Sequence, residues 1–187
     1  MKKVTVAAAI VLMSISVVCA QKKHINAEAS KIVWTAKKVG GTHTGEIKLK
    51  NGYLEFTGNR IAGGEFVIDM NSITNTDLKD AEYNQKLLGH LKSDDFFGVA
   101  KFPTSSFVIT HASSFKGNKA HVEGELTIKG ITESISFEIE NKGNAYLASL
   151  EIDRSKFDVR YGSKSFFNDL GDKAINDMFT LDVKLSQ

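Results

Sequence analysis

The sequence predicts an all-β protein whose eight or nine antiparallel strands form a sandwich or an up-and-down barrel. Apolar and polar residues alternate with a period of two in most segments, and short turn sequences separate these segments. A helical pattern occurs without a βαβ rhythm, so a parallel sheet is not expected. A barrel is favoured, because about eight strands enclose an interior that either fills with side chains or holds one small ligand.

Residues 1–20 predict a cleaved secretory signal peptide. Lys2-Lys3 precedes an apolar run, and Val18-Cys19-Ala20 fits an A-x-A-like cleavage site that would leave residues 21–187 as a single mature domain. Lipid attachment at Cys19 is the minor alternative, since the residue before it is not small. We therefore expect a periplasmic or secreted protein with no integral membrane span after cleavage.

Cleavage would change the composition of the chain. It removes the only cysteine, which excludes disulfide and thiol chemistry from the mature protein. It also removes two of the 24 basic residues, which leaves 22 basic against 22 acidic residues. A neutral chain gives no electrostatic argument for nucleic acid or an anionic membrane surface as a partner.

The first half of the mature chain predicts a loose polar lead-in followed by strands. Residues 21–30 form the lead-in, and strands are expected at 31–37, 44–50 and 53–57, and after Gly63-Gly64. Asn51-Gly52 predicts a hairpin turn between two of these strands, because both residues tolerate positive φ.

A single helix is predicted over about residues 77–92, with Thr76 or Asp77 as its N-cap. It leads into the aromatic pair Phe96-Phe97 and then into the only proline, Pro103. A lone helix with an aromatic corner in an all-β chain is best explained if the helix plugs or props one end of the barrel.

The second half of the chain predicts five further strands and one long, charge-rich loop. The loop spans residues 154–177. The strands are expected at 105–113, 121–128, 134–140, 146–152 and 178–186.

Four stretches of the chain form distinctive motifs: His90-Leu91-Lys92-Ser93-Asp94-Asp95-Phe96-Phe97, Lys101-Phe102-Pro103, the run 124–132 and Ile152-Asp153-Arg154-Ser155-Lys156-Phe157. Together they resemble the motifs of the YceI family. The resemblance covers essentially the whole mature chain. It implies an exported, lipocalin-like antiparallel barrel of about eight strands with one accompanying helix, in which some members carry an isoprenoid quinone or another long-chain amphiphile. The chain departs from the family pattern at Leu87-Leu88, where an Arg-Asp pair is usual, and at Asp158, where a glycine is usual.

The inward-facing residues allow two interpretations. Alternation alone favours a packed core, since inward apolar residues are the rule in small barrels. The alternative is a tunnel for an elongated apolar molecule, in which small residues such as Ala36, Gly124 and Ala148 leave room. The predicted tunnel lining is Trp34, Phe66, Ile68, Phe107, Leu126, Phe137, Leu150 and Phe179.

Polar residues near the helix are candidates for holding a ligand headgroup. His90 would bond a headgroup or, in the simpler interpretation, a helix C-terminal carbonyl. Arg154 would read a headgroup or pin the charged loop through salt bridges. Asp94-Asp95 is more typical of a turn than of acid–base catalysis. The five histidines lack metal-ligand spacing, so neither a metal site nor a cofactor other than a bound lipid is predicted.

These observations favour a binding protein that is not an enzyme, in which an isoprenoid or other long-chain amphiphile is held for carriage, storage or sequestration. The alternatives are a packed barrel that acts as a stress-related, partner-binding protein and a lipid-modifying enzyme around His90, Asp94 and Arg154. A homodimer through an outer sheet face is a further hypothesis.

Overall fold

The computed structural model describes residues 20–187, so most of the predicted signal peptide lies outside the described residues. This part of the chain contains nine strands and one α-helix. In chain order they are β1 (Gln21–His24), β2 (Asn26–Lys38), β3 (Gly41–Thr57), β4 (Arg60–Asp69), α1 (Ala81–Lys92), β5 (Thr104–Ala112), β6 (Lys119–Ile128), β7 (Ile131–Asn141), β8 (Ala145–Asp153) and β9 (Ile175–Ser186). Short 3-10 turns occupy Met70–Ser72, Arg154–Phe157 and Gly171–Lys173.

The eight strands β2 to β9 form a closed antiparallel barrel. Each strand pairs with its sequence neighbour, and β9 pairs back onto β2, as in Trp34↔Leu181. The additional strand β1 pairs with the far half of β3, from Gln21↔Phe56 to His24↔Tyr53. The predicted up-and-down barrel of about eight strands is therefore confirmed.

Both long connections of the barrel lie at the same end. Strands β2, β4, β6 and β8 all finish there, so this end carries α1 and the loop 154–174 as well as the turns after β2 and β6. We call it the helix end. The opposite end carries the short turns after β3, β5 and β7 together with the C-terminus of β9.

The backbone ladder between β7 and β8 is much shorter than its neighbours. It consists of Ile139↔Ala148, Glu140↔Leu147 and Asn141↔Tyr146, all near the connecting turn. By contrast, β6 pairs with β7 over the full span from Lys119↔Glu140 to Ile128↔Ile131. The barrel wall is therefore closed by fewer backbone hydrogen bonds between β7 and β8, toward the helix end.

The predicted hairpin at Asn51-Gly52 is wrong, as is the loose lead-in. Strand β3 runs through both residues with a bulge between Leu49 and Asn51, and the turn falls instead at Gly58, whose φ is +60°. Gly52 is needed for packing, because a Cβ there would lie 2.6 Å from the Phe66 ring. The lead-in is ordered because it pairs with the far half of β3.

The helix ends where the sequence predicts but begins later. Asp80 is the N-cap, and its Oδ1 accepts the backbone N–H groups of Glu82 and Tyr83 at 2.9 and 3.0 Å. Asp77, which with Thr76 was one of the two predicted N-caps, instead accepts the N–H of Thr44 at 2.8 Å. A carboxylate engaged by β3 cannot also cap the helix, which accounts for the shift.

Candidate functional site

The barrel interior contains an apolar cavity of about 170 Å³. Side chains from all eight barrel strands line it, and α1 with its following corner contributes Leu91, Phe96 and Phe97 at the helix end. All eight residues of the predicted tunnel lining face this cavity: Trp34, Phe66, Ile68, Phe107, Leu126, Phe137, Leu150 and Phe179. The structure thus brings them together around one space, while their role in ligand binding remains a prediction.

The cavity wall combines firmly packed and partly accessible parts. Trp34 is 7% exposed and donates its indole N–H to the carbonyl of Thr74 at 3.0 Å, which anchors the ring. The rings of Phe107 and Phe137 pack with centroids 5.3 Å apart. Phe137 and Leu150, on the strands with the short ladder, are only half-buried.

Small residues contribute to the cavity unequally. Ala36 and Ala148 line it, as the tunnel interpretation expects. A Cβ on Gly124, however, would lie 2.5 Å from Cζ of Phe107 and 2.4 Å from the carbonyl oxygen of Val108. The room above Gly124 is therefore filled by the Phe107 ring and is not available to a ligand.

The helix end is held in place by polar contacts outside the cavity. Asn84 donates to the carbonyls of Asn75 and Leu78, both at 3.1 Å, and Lys92 donates to the carbonyl of Asn71 at 2.8 Å. These bonds tie α1 to the segment after β4. Leu91 and Phe96, 8% and 6% exposed, then face inward and close this end. The expectation that the helix plugs one end agrees with this arrangement.

Arg154 is buried at the helix end and lines the cavity there. Its guanidinium donates to four carbonyls, and Nη2 lies 3.1 Å from Oδ1 of Asp177. The accepting residues are Asn176 and Ile175 (both 3.2 Å), Val159 (2.9 Å) and Tyr161 (2.8 Å).

Four of the five N–H donors of this arginine therefore go to backbone carbonyls, and Nη2 also faces the Asp177 carboxylate as an ion pair. Burial lowers the pKa of Arg154, and the carboxylates of Asp177 and Asp153 oppose that shift. The arrangement matches the loop-pinning interpretation, and a headgroup role for Arg154 stays a prediction.

His90 lies at the end of α1, half-buried and outside the cavity lining. Its ring packs edge-on against Tyr161 and Phe96, with centroids 4.1 and 5.6 Å away. Burial lowers the pKa of His90, and the Asp95 carboxylate partly opposes this. Its Nε2 is buried and has no hydrogen-bond partner within residues 20–187. The terminal carbonyl at His90 is satisfied by Ser93, whose N–H and hydroxyl donate to it.

The other candidate catalytic and metal-ligating side chains do not come together at one site. Asp94 forms an exposed ion pair with Lys101 at 2.7 Å. Within residues 20–187, no three His, Cys, Asp or Glu side chains converge on a position suited to a metal ion. The same part of the chain has no helix with the length and apolar character needed to cross a bilayer.

Sequence reasoning missed two groups of residues. Leu91, Phe96 and Phe97 line the cavity but were not among the predicted lining residues, although the aromatic corner was visible in the sequence. The second group is a cluster of lysines, Lys37, Lys38 and Lys164, that lines a surface groove at the helix end. Lys164 is more than a hundred positions from Lys37 and Lys38 in the chain, so only the fold brings the three together.

Comparison with known proteins places the chain in a family. The YceI-like domain family matches residues 24–187, which is nearly all of the described chain.

The chain belongs to the YceI-like family.

Individual relatives agree with this assignment. The UPF0312 protein of Shewanella denitrificans is 27% identical over 93 residues, which is 50% of this chain and 46% of that protein. The chain thus spans less than half the length of that curated relative.

Solved structures share the YceI-like barrel along most of their length. The crystal structure of BcnA from Burkholderia cenocepacia is 25% identical with a TM-score of 0.68, and the match covers 87% of this chain and 99% of BcnA. A domain from Saccharophagus degradans, described as a polyisoprenoid binding domain, is 15% identical with a TM-score of 0.57, over 87% of this chain and 95% of that one. At that identity the second match shows the fold alone.

Proposed function

We propose that this YceI-like protein binds a long-chain amphiphile, an isoprenoid or a fatty-acyl compound, with its apolar chain inside the barrel. The observation that carries the proposal is the apolar cavity lined by strands β2 to β9. Its polar lining side chains are few, among them Ser105, Arg154 and Asn176. Such a surface favours hydrocarbon, because burying an unpaired polar group there would be costly.

The driving force would be the removal of chain carbons from water. Burial of each CH₂ contributes roughly 0.8 kcal/mol. A cavity of about 170 Å³ is close to the roughly 150 Å³ of an apolar protein cavity known to bind benzene. The interior as it stands thus suits a group of that size, and a longer chain would reach the half-buried residues Phe137 and Leu150.

The family and the polyisoprenoid binding domain of Saccharophagus degradans support a binding role over a catalytic one. The hydrogen bonds of Arg154 support the same view, since its donors serve the loop and are not free for a reacting group. The predicted signal peptide supports action outside the cytoplasm, in carriage, storage or sequestration. The packed-barrel alternative is weakened by the cavity itself.

Mass spectrometry of an organic extract tests the proposal. The mature protein would be purified without detergent from the envelope of its own host, and the extract compared with that of a Phe137→Glu variant. A stoichiometric amphiphile present in the wild type and lost in the folded variant is expected. An extract without any amphiphile, from protein that also takes up none when it is offered, would contradict the binding role.

A further inference from the structure

A second depression lies on the outer surface of the helix end, between the end of β2 and the start of β9. Its volume is about 400 Å³, and it is lined by Lys37, Lys38, Val39, Lys164, Ala174, Ile175, Asn176 and Asp177. We call it the lysine groove. Neither the predicted headgroup residue His90 nor the apolar tunnel lining belongs to it.

The lysine groove adjoins the barrel cavity, and the two share lining residues. Ile175 and Asn176 border the groove and the cavity, and Asn176 is exposed. The β2–β9 ladder is irregular here, with a register shift between Ala36 and Lys38, where Lys38 pairs with Ile175. A molecule with its polar head in the groove could therefore place its chain in the cavity past these two residues.

The position of Ile175 is set by the neighbouring loop. Its N–H donates to the carbonyl of Gly162 at 2.8 Å. Gly162 has a φ of +63°, and a Cβ there would lie 3.0 Å from the Ile175 side chain. The absence of a side chain at Gly162 thus leaves the space that the Ile175 side chain occupies at the boundary between groove and cavity.

The charges of the lysine groove are unbalanced. Lys37, Lys38 and Lys164 are exposed, and none has an ion pair or side-chain hydrogen bond within the described chain. Several other lysines of the barrel are paired with carboxylates, as in Lys31–Glu46, Lys119–Glu138 and Lys142–Glu140. What distinguishes the groove is that three lysines without such a partner line one depression.

The carboxylates near the lysine groove do not offset this charge. Asp177 contacts Arg154 and accepts a hydrogen bond from Ser165 at 2.7 Å, and Asp158 pairs with Arg160. Asp169 and Asp172 are exposed on the same loop but do not line the groove. The groove is thus a cationic site on a chain whose mature charge is neutral overall.

We propose that the lysine groove binds the anionic headgroup of the amphiphile whose chain occupies the barrel. The ligand class is a long-chain carboxylate or phosphate monoester. This assignment rests on the proposed function, and it places the headgroup at the lysines instead of at Arg154, which donates four hydrogen bonds to backbone carbonyls. Ammonium groups are suited to this role because they act as point charges toward carboxylate and phosphate.

Trp34, the only tryptophan of the protein, lines the cavity. Its fluorescence therefore reports whether the hydrocarbon chain of a ligand has entered the barrel. Its fluorescence would be titrated with dodecanoate, dodecyl phosphate and uncharged dodecanol, at low and at high salt. We expect the two anions to bind about tenfold more tightly than dodecanol at low salt, with the preference reduced at high salt by screening. Inorganic phosphate at matched ionic strength should not displace them.

The variant for this test is Lys37→Gln/Lys38→Gln/Lys164→Gln, and its charge-matched control is Lys50→Gln/Lys116→Gln/Lys184→Gln, at exposed positions away from the groove. The groove variant should lose the preference for anions and keep its affinity for dodecanol, while the control keeps both.

Three outcomes would overturn the assignment. Equal affinity of the wild type for the anions and dodecanol would do so while leaving the proposed function intact. Displacement by inorganic phosphate would indicate a site for free anions instead. A Trp34 signal that responds to none of the amphiphiles would overturn both the proposed function and the headgroup site.

Discussion

The guanidinium of Arg154 and the carboxylate of Asp177 form an ion pair of 3.1 Å, in which the arginine side chain is 3% exposed and the aspartate 17%. Oδ1 of Asp177 is buried and makes no hydrogen bond within the described residues, so the charge of Arg154 is what compensates it. The pair joins the loop after β8 to the first residues of β9. It therefore stabilises the part of the helix end where groove and cavity meet.

Replacement of Arg154 should destabilise the protein strongly. In Arg154→Met the carboxylate of Asp177 and the four carbonyls lose their partner, and breaking a buried pair costs roughly 3–5 kcal/mol. Urea unfolding of the two proteins would measure the loss. The control is Arg160→Gln, which breaks the exposed pair with Asp158 and should cost less than about 1 kcal/mol. A similar small cost for both variants would argue against a pinning role for Arg154.

The protein should become less stable as the pH is lowered, because His90 is half-buried. Burial lowers the pKa of His90 in the folded state below the ordinary value of 6.5, so the unfolded chain binds a proton more readily. The stability is fully present above that ordinary value and is lost as pH falls through the lower folded-state pKa.

The pH dependence can be assigned with two variants. Unfolding at pH 7.5, 6.5 and 5.5, about the ordinary histidine range, should give a steeper loss for the wild type than for His90→Gln. His111→Gln, at an exposed position, should behave as the wild type does. An NMR titration in which the His90 ring changes protonation at or above 6.5 would refute the explanation.

A charge inside the cavity should prevent ligand uptake. Phe137 lies in the cavity wall, whereas its neighbour Ser136 is exposed on the outer face of the same strand. Phe137→Glu places a carboxylate among apolar side chains and should abolish uptake of a fluorescent fatty-acyl probe, while Ser136→Glu should retain it. Circular dichroism would establish that both variants are folded. Undiminished uptake by folded Phe137→Glu would remove this residue from the binding site.

Two glycine substitutions should change stability in opposite directions. Gly124→Ala would bring a Cβ to 2.4 Å from the carbonyl of Val108, and overpacking of this kind costs about 1–3 kcal/mol. Gly89→Ala lies on α1 with no heavy atom within 4 Å of the added Cβ and should stabilise by up to about 1 kcal/mol, because alanine favours a helix. Thermal unfolding of the two variants and the wild type would measure the changes in stability. Stabilisation by Gly124→Ala would contradict the close packing of Phe107 against Gly124.

The alternation of apolar and polar residues along the sequence allowed most strands of the barrel wall to be predicted. In β6 the buried residues follow one another at every second position, and this pattern identifies both the strand and its inner face. The same reasoning placed all eight predicted lining residues around one cavity. It did not establish whether that space was open, because the volume depends on how rings such as Phe107 and Phe137 pack.

Local signals failed where a distant segment changed the environment. Asn51-Gly52 has turn chemistry, but both residues pair with β4, and the carbonyl of Gly52 accepts the N–H of Ile25. Asp77 has N-cap chemistry, but the N–H of Thr44 binds its carboxylate. The lysine groove was missed for a related reason, since Lys164 approaches Lys37 only after the loop folds over the helix end.

Strands β7 and β8 close the barrel through only three paired positions. Over the rest of their length they resemble two edge strands of an open sheet. Beyond Ile139↔Ala148, no ladder pairs the two strands toward the helix end, so side chains and not backbone bonds hold the wall together there. Backbone groups at such an edge are a template for an incoming strand, and charged outward residues discourage it. Glu138 and Glu151 occupy exposed positions on these strands. Their charges would thus protect the solubility of the protein at the stretch of wall where its own hydrogen bonds are fewest.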